Sequence, residues 1–464
     1  MSPETISVLI ALAAFVLLMA ARVPVAFVLL VSGAMGLIAL DGTQVAASSM
    51  ARVPYQTIGK ATLIVVPMFI AMGMFAKEAK LAERLFDLMR RRADRVPGGL
   101  AAATIACCAG FGAVSGSSVA SVAAIGRLSI GEMIRSGYRP EFAGGTVAAG
   151  GTLGILIPPS IALVIYGQVT EESIGSLLIA GIVPGIISAA AMIGYVVARA
   201  TLDPAAVGRP PRRERGATAA SPPADALGAD AWMPAAGDPV LGGRSAVAVI
   251  SRLLILFAIV IGGIYLGVAT PSESAAFGAL AALLIMLYDL RAQGGRGLLR
   301  ATGRSLRASA DLTVMIFALL FGASIFSTFI VRSGMPRDFS NWVIGIDMSP
   351  QLVVILMLAV LIPLGMFVDG ISMIVISMPL AYPVISELGY DGIWFGILAI
   401  KLIELGLITP PLGMNVFVAA STTTGLTPEQ VFRGTIPYYA VDLAVAALLF
   451  LVPSLVLWLP SYIG

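Results

Sequence analysis

Apolar positions along this chain fall in runs too long and too uniform for the alternating faces of a soluble fold. A bilayer crossing takes about 20 apolar residues. Candidate spans lie at 5–21, 23–40, 56–76, 141–166, 174–199, 246–268, 273–290, 311–331, 391–420 and 436–459. Two more apolar regions, 98–134 and 351–388, break near the middle and fit helical hairpins better than crossings. The first holds GFGAVSGSSVASVAAIG from Gly110, the second PLGMFVDGISMIVISMPLAYPV from Pro363. Behind each comes an interrupted helix, GGTLGILIPPSIALVIY to Tyr166 and GLITPPLGMNVFVAAS to Ser421. Tyr138 precedes Pro159 by 21 residues, and Tyr390 precedes Pro411 by the same 21. Backbone at membrane depth leaves the helix only where protein buries it or a polar cavity receives it. Matched breaks in two halves of a chain point to a binding site near the bilayer midplane.

Composition places the pattern in a membrane. Of 464 residues 58% are hydrophobic and 12% charged, with mean hydropathy +0.96, against about 25% charged in soluble domains. Fifty Gly and 28 Pro suit helices packed on small residues and broken at chosen points. Histidine is absent, which excludes His-based metal sites, general bases and proton relays. Cys107 and Cys108 are adjacent in an apolar run and read as small packing residues. Ile6 to Ala20 lacks a basic n-region and a cleavage site, and reads as a retained first helix. A net charge of +3 signals no nucleic-acid partner.

The distribution of that charge sets orientation. Basic loops lie at Lys77–Arg95, Arg127–Arg139, Arg199–Arg215 and Arg291–Arg307. Placing all four in the cytoplasm gives ten crossings, both termini outside and one hairpin entering from each side. Arg332 and Arg337 then fall outside. Five crossings separate the hairpins, so the halves are inverted. The expected fold is an all-α polytopic membrane protein of two inverted repeats, each with a re-entrant hairpin and a broken transmembrane helix. Residues 1–97 form scaffold helices and an amphipathic helix (77–95) lying in the cytoplasmic interface. Residues 98–202 hold the first repeat core, 203–245 a Pro-, Ala- and Gly-rich disordered linker, 246–345 further scaffold helices and 346–464 the second repeat core.

The candidate chemistry sits at the breaks. Ser115, Gly116, Ser117 and Ser118, with Ser121 one turn on, offer hydroxyls and freed carbonyls. Such neutral oxygens suit a monovalent cation such as sodium, whereas calcium and magnesium usually take carboxylates. Pro158 and Pro159 lack N–H groups, so carbonyls one turn earlier lose their partners. The half-helix that resumes points a positive end into the same space and favours a carboxylate. The second half offers Gly365, Asp369 and Gly370 at its tip, then Thr409, Pro410, Pro411, Gly413 and Asn415. A bland account, Pro kinks with small-residue packing, covers one break but not two matched ones. Asp369 either neutralises a cation or caps the helix beginning at Ile371. Lys401 and Glu404, three apart on one helix, are expected to pair, and Asp311 to mark an interfacial helix start. Thr270-Pro271-Ser272-Glu273 and Thr427-Pro428-Glu429-Gln430 read as helix starts rather than sites.

AVSGSSVASVAAIG, LGILIPPS, ATPSESAAFGAL, MFVDGIS and GLITPPLGMNVFV together resemble the large membrane subunit of TRAP (tripartite ATP-independent periplasmic) transporters, DctM type, over nearly the whole chain. The linker is the one departure. The resemblance implies sodium-driven uptake of a C4-dicarboxylate, sugar acid or sialic acid across the bacterial inner membrane by an elevator motion, with no catalytic residues and no cofactor beyond sodium. It implies two partners, a small four-helix membrane subunit of DctQ type and a periplasmic binding protein of DctP type. One sodium site would involve Ser115, Ser117, Gly154, Ile157 and Pro159. The other would involve Gly365, Gly406, Thr409 and Leu412, with the substrate between the tips near Ser118, Pro158, Asp369, Gly370, Pro410, Pro411 and Asn415. A stand-alone sodium-coupled carboxylate symporter without a binding protein is the alternative. A membrane enzyme lacks any visible nucleophile–base pair.

Overall fold

The computed structural model describes residues 3–93, 96–204, 207, 243–345 and 348–462. Among them the chain is helical, with no strand beyond an isolated bridge between Tyr138 and Val207. Most of the expected linker (203–245) lies outside the described residues. Six helical stretches are long and apolar enough to cross a membrane, and the bent pair Pro140–Leu156 and Ile161–Thr170, at 46°, makes a seventh. Exposed Leu17, Leu284 and Val314 show the apolar surface such helices turn to lipid.

Three expectations need correcting. A helix at Thr43–Ile58 went unread because its polar run TQVAASSM hides it from a search for apolar spans; the span expected at 56–76 starts later, as a 3-10 turn Ala61–Ile64 leading into Val65–Glu78. Asp311 does not begin a helix. It lies exposed inside one continuous helix, Gly294–Arg332, of 39 residues. At 1.5 Å per residue this runs about 58 Å, well beyond a hydrocarbon core of about 30 Å, so its basic first turns project. Finally, the amphipathic helix Leu81–Ala93 does not rest its apolar face on lipid. Leu81, Ala82, Leu85, Phe86 and Leu88 are buried, and the helix packs on both arms of the first hairpin.

The scaffold pairs helices across the two halves. Val25–Asp41 runs along Gly294–Arg332, and Val65–Glu78 along Pro271–Leu290. Small residues allow the approach: a Cβ on Gly33 would lie 2.7 Å from the Phe326 backbone. Capping boxes at Thr270/Glu273 and Thr427/Gln430 start helices Pro271–Leu290 and Pro428–Leu451, as read from the sequence.

The transport-like core is built twice. Hairpin arms Gly99–Ser115 and Ser118–Arg135 correspond to Pro350–Gly365 and Gly370–Glu387. One constant offset carries Ser117 onto Asp369, Gly137 onto Gly389, Tyr138 onto Tyr390, Gly154 onto Gly406, and Pro158-Pro159 onto Pro410-Pro411. Both second arms end in the same Schellman turn. Tyr138 N–H donates to Met133 O at 3.0 Å and Tyr390 N–H to Ile385 O at 3.1 Å. The intervening glycines take the left-handed φ this turn requires, 90° at Gly137 and 77° at Gly389. After the breaks the halves interlock. The half-helix Ile161–Thr170 packs on the second hairpin's arm Gly370–Glu387, and Met414–Ser421 packs on the first hairpin's arm Ser118–Arg135.

Candidate functional site

The first hairpin tip forms because Gly116 reaches the left-handed region (φ 61°) and Ser117 caps the next helix, its Oγ accepting from Ala120 N–H at 3.3 Å. Three oxygens gather there. Ser121 Oγ donates to Ser117 O at 2.9 Å, and Ser115 Oγ lies 3.2 Å from Ser121 Oγ and 3.5 Å from Ser117 O. Gly154 faces them: a Cβ on it would sit 2.9 Å from Ser121 Oγ and 3.0 Å from Ser117 O. A Cβ on Gly112 would sit 2.4 Å from Gly154 Cα, so the tip seats on the break only because neither residue has a side chain. Pro159 O lies 3.0 Å from where a Gly116 Cβ would be. Ile157 is extended, with its side chain against Gly185. The Pro158–Pro159 bond is cis, and Ser160 caps the resuming half-helix through Leu163 N–H.

The second tip repeats this with different chemistry. A Cβ on Gly406 would meet Gly365 Cα at 2.8 Å, and one on Gly365 would meet Ile403 O at 2.8 Å. Asp369 caps the second arm, accepting from Ser372 N–H at 3.1 Å and Ser372 Oγ at 2.5 Å. The capping reading is thus the one the structure shows, and Asp369 also lines the cavity described below. Thr409 Oγ1 donates to Leu405 O at 2.6 Å. Pro410–Pro411 is cis, and these prolines and Leu412 are exposed, whereas Pro158, Pro159 and Ser160 are buried. Asn415 N–H donates to Leu407 O at 3.1 Å; its amide is fully buried with neither polar atom hydrogen-bonded.

A cavity of about 620 Å³ opens in front of both tips. Ser118, Ile161, Gly370 and Met414 line it, and each lies at the start of a helix of eight or more residues. Four positive helix ends therefore meet one space. Ile70, Met74, Leu312, Met315 and Ile316 of the flanking helices also line it, as do the charged Lys77, Glu83 and Arg127. Burial pushes the Glu83 carboxyl up from the usual carboxylate range, partly offset by a backbone hydrogen bond and by Lys80, Arg84 and Lys77. A wider crevice of about 1040 Å³ lies elsewhere between scaffold and core, where Thr62 Oγ1 donates to Gln168 Oε1 at 3.0 Å and Lys60 pairs with Glu171 at 3.5 Å.

Lys401 and Glu404 do not pair. Lys401 Nζ donates to Asp442 Oδ1 at 2.6 Å and Ser188 Oγ at 2.9 Å, all buried. Glu404, 3% exposed, accepts from Ser118 Oγ at 3.4 Å through Oε1, while Oε2 has no partner. Residues three apart on a helix share a face, but they pair only if no better partner comes from another element, and Lys401 takes Asp442. The sequence carried its signal, an acid within an apolar span.

Paired hairpins seated on paired helix breaks, around a cavity in a multi-pass helical membrane protein, define a secondary transporter rather than an enzyme. Residues 12–455 match the family profile of the Tripartite ATP-independent periplasmic transporter, DctM component. The chain belongs to that family: it is a TRAP transporter large permease subunit. It is 34% identical over 412 residues to the C4-dicarboxylate TRAP transporter large permease protein DctM of Pseudomonas aeruginosa, covering 88% of each chain. It is 31% identical over 447 residues to the isethionate TRAP transporter permease protein DctMQ of Oleidesulfovibrio alaskensis, covering 95% of this chain and 64% of that one. The fold is similar to the solved YdaH transporter of Alcanivorax borkumensis, described as having an unusual topology, with TM-score 0.63, 14% identity and 97% and 98% coverage.

Proposed function

We propose that this chain drives uptake of a small organic acid on a sodium gradient across the bacterial inner membrane, as the large subunit of a tripartite system. The observation that carries the reading is the convergence of four helix N-termini on one cavity, an arrangement that favours an anion without any buried cationic side chain. Relatives whose names specify a C4-dicarboxylate and isethionate support an anionic substrate. Ser115, Ser117 and Ser121 with the Gly154 segment fit a monovalent cation, being close-set neutral oxygens. Around the Gly365–Gly406 contact a second cation would use Thr409 and backbone oxygens, and the buried unpartnered amide of Asn415 marks unfilled polar capacity nearby. Sodium there would neutralise charge and order the tips. The residues themselves fix the cavity's shape: the glycine pairs seat the tips, and Ser117 and Asp369 cap the helices that face the substrate.

The hairpins and broken helices move as one body against the scaffold wall in this reading, an elevator motion of two inverted repeats. The interlocked half-helices support it, since each packs on a hairpin arm of the other repeat. The length of DctMQ beyond this chain fits a small membrane subunit as partner, with a periplasmic binding protein delivering the acid. The test is uptake of labelled succinate into proteoliposomes holding the chain with its co-purifying membrane subunit and binding protein. Uptake is expected only with an inward sodium gradient and with the binding protein present. Uptake that persists without the binding protein favours the stand-alone symporter, and uptake indifferent to sodium overturns the coupling.

A further inference from the structure

The buried charges do not balance, and the imbalance lies between the two hairpin tips. Lys401 is engaged by Asp442 and Ser188, and among the described residues no other cationic side chain pairs with Glu404. Glu404 Oε1 reaches Ser118 Oγ at 3.4 Å, and a Cβ on Gly370 would lie 3.3 Å from the same oxygen. Ser118 and Gly370 are repeat counterparts, each the first residue of a second hairpin arm. One carboxyl group therefore bonds the first tip and faces the equivalent point of the second. It lies next to Ile403, whose carbonyl faces Gly365, and two residues before Gly406. On the other side it contacts the residue following Ser117. Its Oε2 is buried with no partner.

We propose that Glu404 supplies, when a cation is bound, the negative charge shared by both cation sites, whose other ligands are neutral oxygens. Burying a cation in an uncharged cage forfeits its hydration, and a buried carboxylate without a partner is costly in the same way. Each ion bound near Glu404 relieves both costs at once. Because one charge serves two sites, ion binding at either tip is felt at the other, and the empty carrier is the less stable form. Serine and glycine backbone alone would give two independent, weaker sites.

This rests on the sodium reading, and the experiment separates the two. The full chain, with its co-purifying membrane subunit, is melted in detergent while sodium chloride replaces choline chloride at constant ionic strength. Wild type is expected to gain stability with a defined sodium midpoint; no sodium response in wild type overturns the sodium reading itself. Glu404→Gln keeps the shape and the Ser118 contact but removes the charge. It is expected to raise the midpoint about tenfold or more, and to melt no lower than wild type when sodium is absent. A merely structural Glu404 gives the reverse, a lower melting point without sodium and an unchanged midpoint, and overturns the proposal. Glu404→Asp, which keeps the charge on a shorter stem, is expected to fall between wild type and Gln. If the Gln variant does not fold, a wild-type midpoint in Glu404→Asp overturns the proposal by itself.

Discussion

Glycines, more than polar side chains, decide whether the tips seat. Gly406→Ala places a methyl 2.8 Å from Gly365 Cα, where backbone must move. Overpacking of this kind costs about 1–3 kcal/mol, and we expect uptake to fall at least tenfold in a protein that still reaches the membrane, read by transport and melting in parallel. Ser117→Ala removes a cap worth about 1 kcal/mol from the tip that carries the oxygen cluster, while the Ser117 carbonyl stays in place; weaker sodium dependence of uptake is expected with the fold kept. Lys401→Met strands Asp442, and breaking such a buried pair costs about 3–5 kcal/mol. The double variant Lys401→Met/Asp442→Leu is therefore expected to melt above the single one. The serines, glycines and prolines of the site were legible because each disrupts a helix locally. The Lys401–Asp442 pair and the Glu404 contact with Ser118 were not, because helical spacing says nothing about what another element brings.

At the scale of elements, the amphipathic helix joins the hairpin core to the flanking helices. It packs on the first hairpin, yet Arg84 from it and Arg252 from helix Gly243–Phe257 both grip Asp289, at 2.5 and 2.6 Å, with the carboxylate almost fully buried. Glu78, just before it, pairs with Arg304 on the projecting part of the long helix. Asp289→Asn leaves two guanidiniums without their counter-charge. We expect a clear loss of melting temperature, and a smaller loss for Arg84→Gln because Arg252 still holds the acid. Hairpins, breaks and capping boxes were readable because their signals lie within a few residues. The 39-residue helix was not: its first half is polar and basic, and apolar runs locate only the part that meets lipid.

For the whole molecule, Lys77 and Arg127, from two of the basic stretches, line one side of the cavity. By the positive-inside rule we expect that side of the cavity to open to the cytoplasm. Cys107 and Cys108 are buried, so an introduced thiol can be read against a quiet background. Ala124→Cys in the cavity wall is expected to react with an impermeant maleimide from the cytoplasmic side, and labelling only from the periplasm would reverse the orientation. The exchange of half-helices between repeats carries a further consequence. Each repeat supplies a piece the other needs, so the chain is in effect a covalent dimer whose subunits have swapped arms. Fragments 1–220 and 221–464 should each be degraded when made alone and restore one transporter when made together. A gene split within the linker would then still encode a working permease, whereas a split inside either broken helix would not.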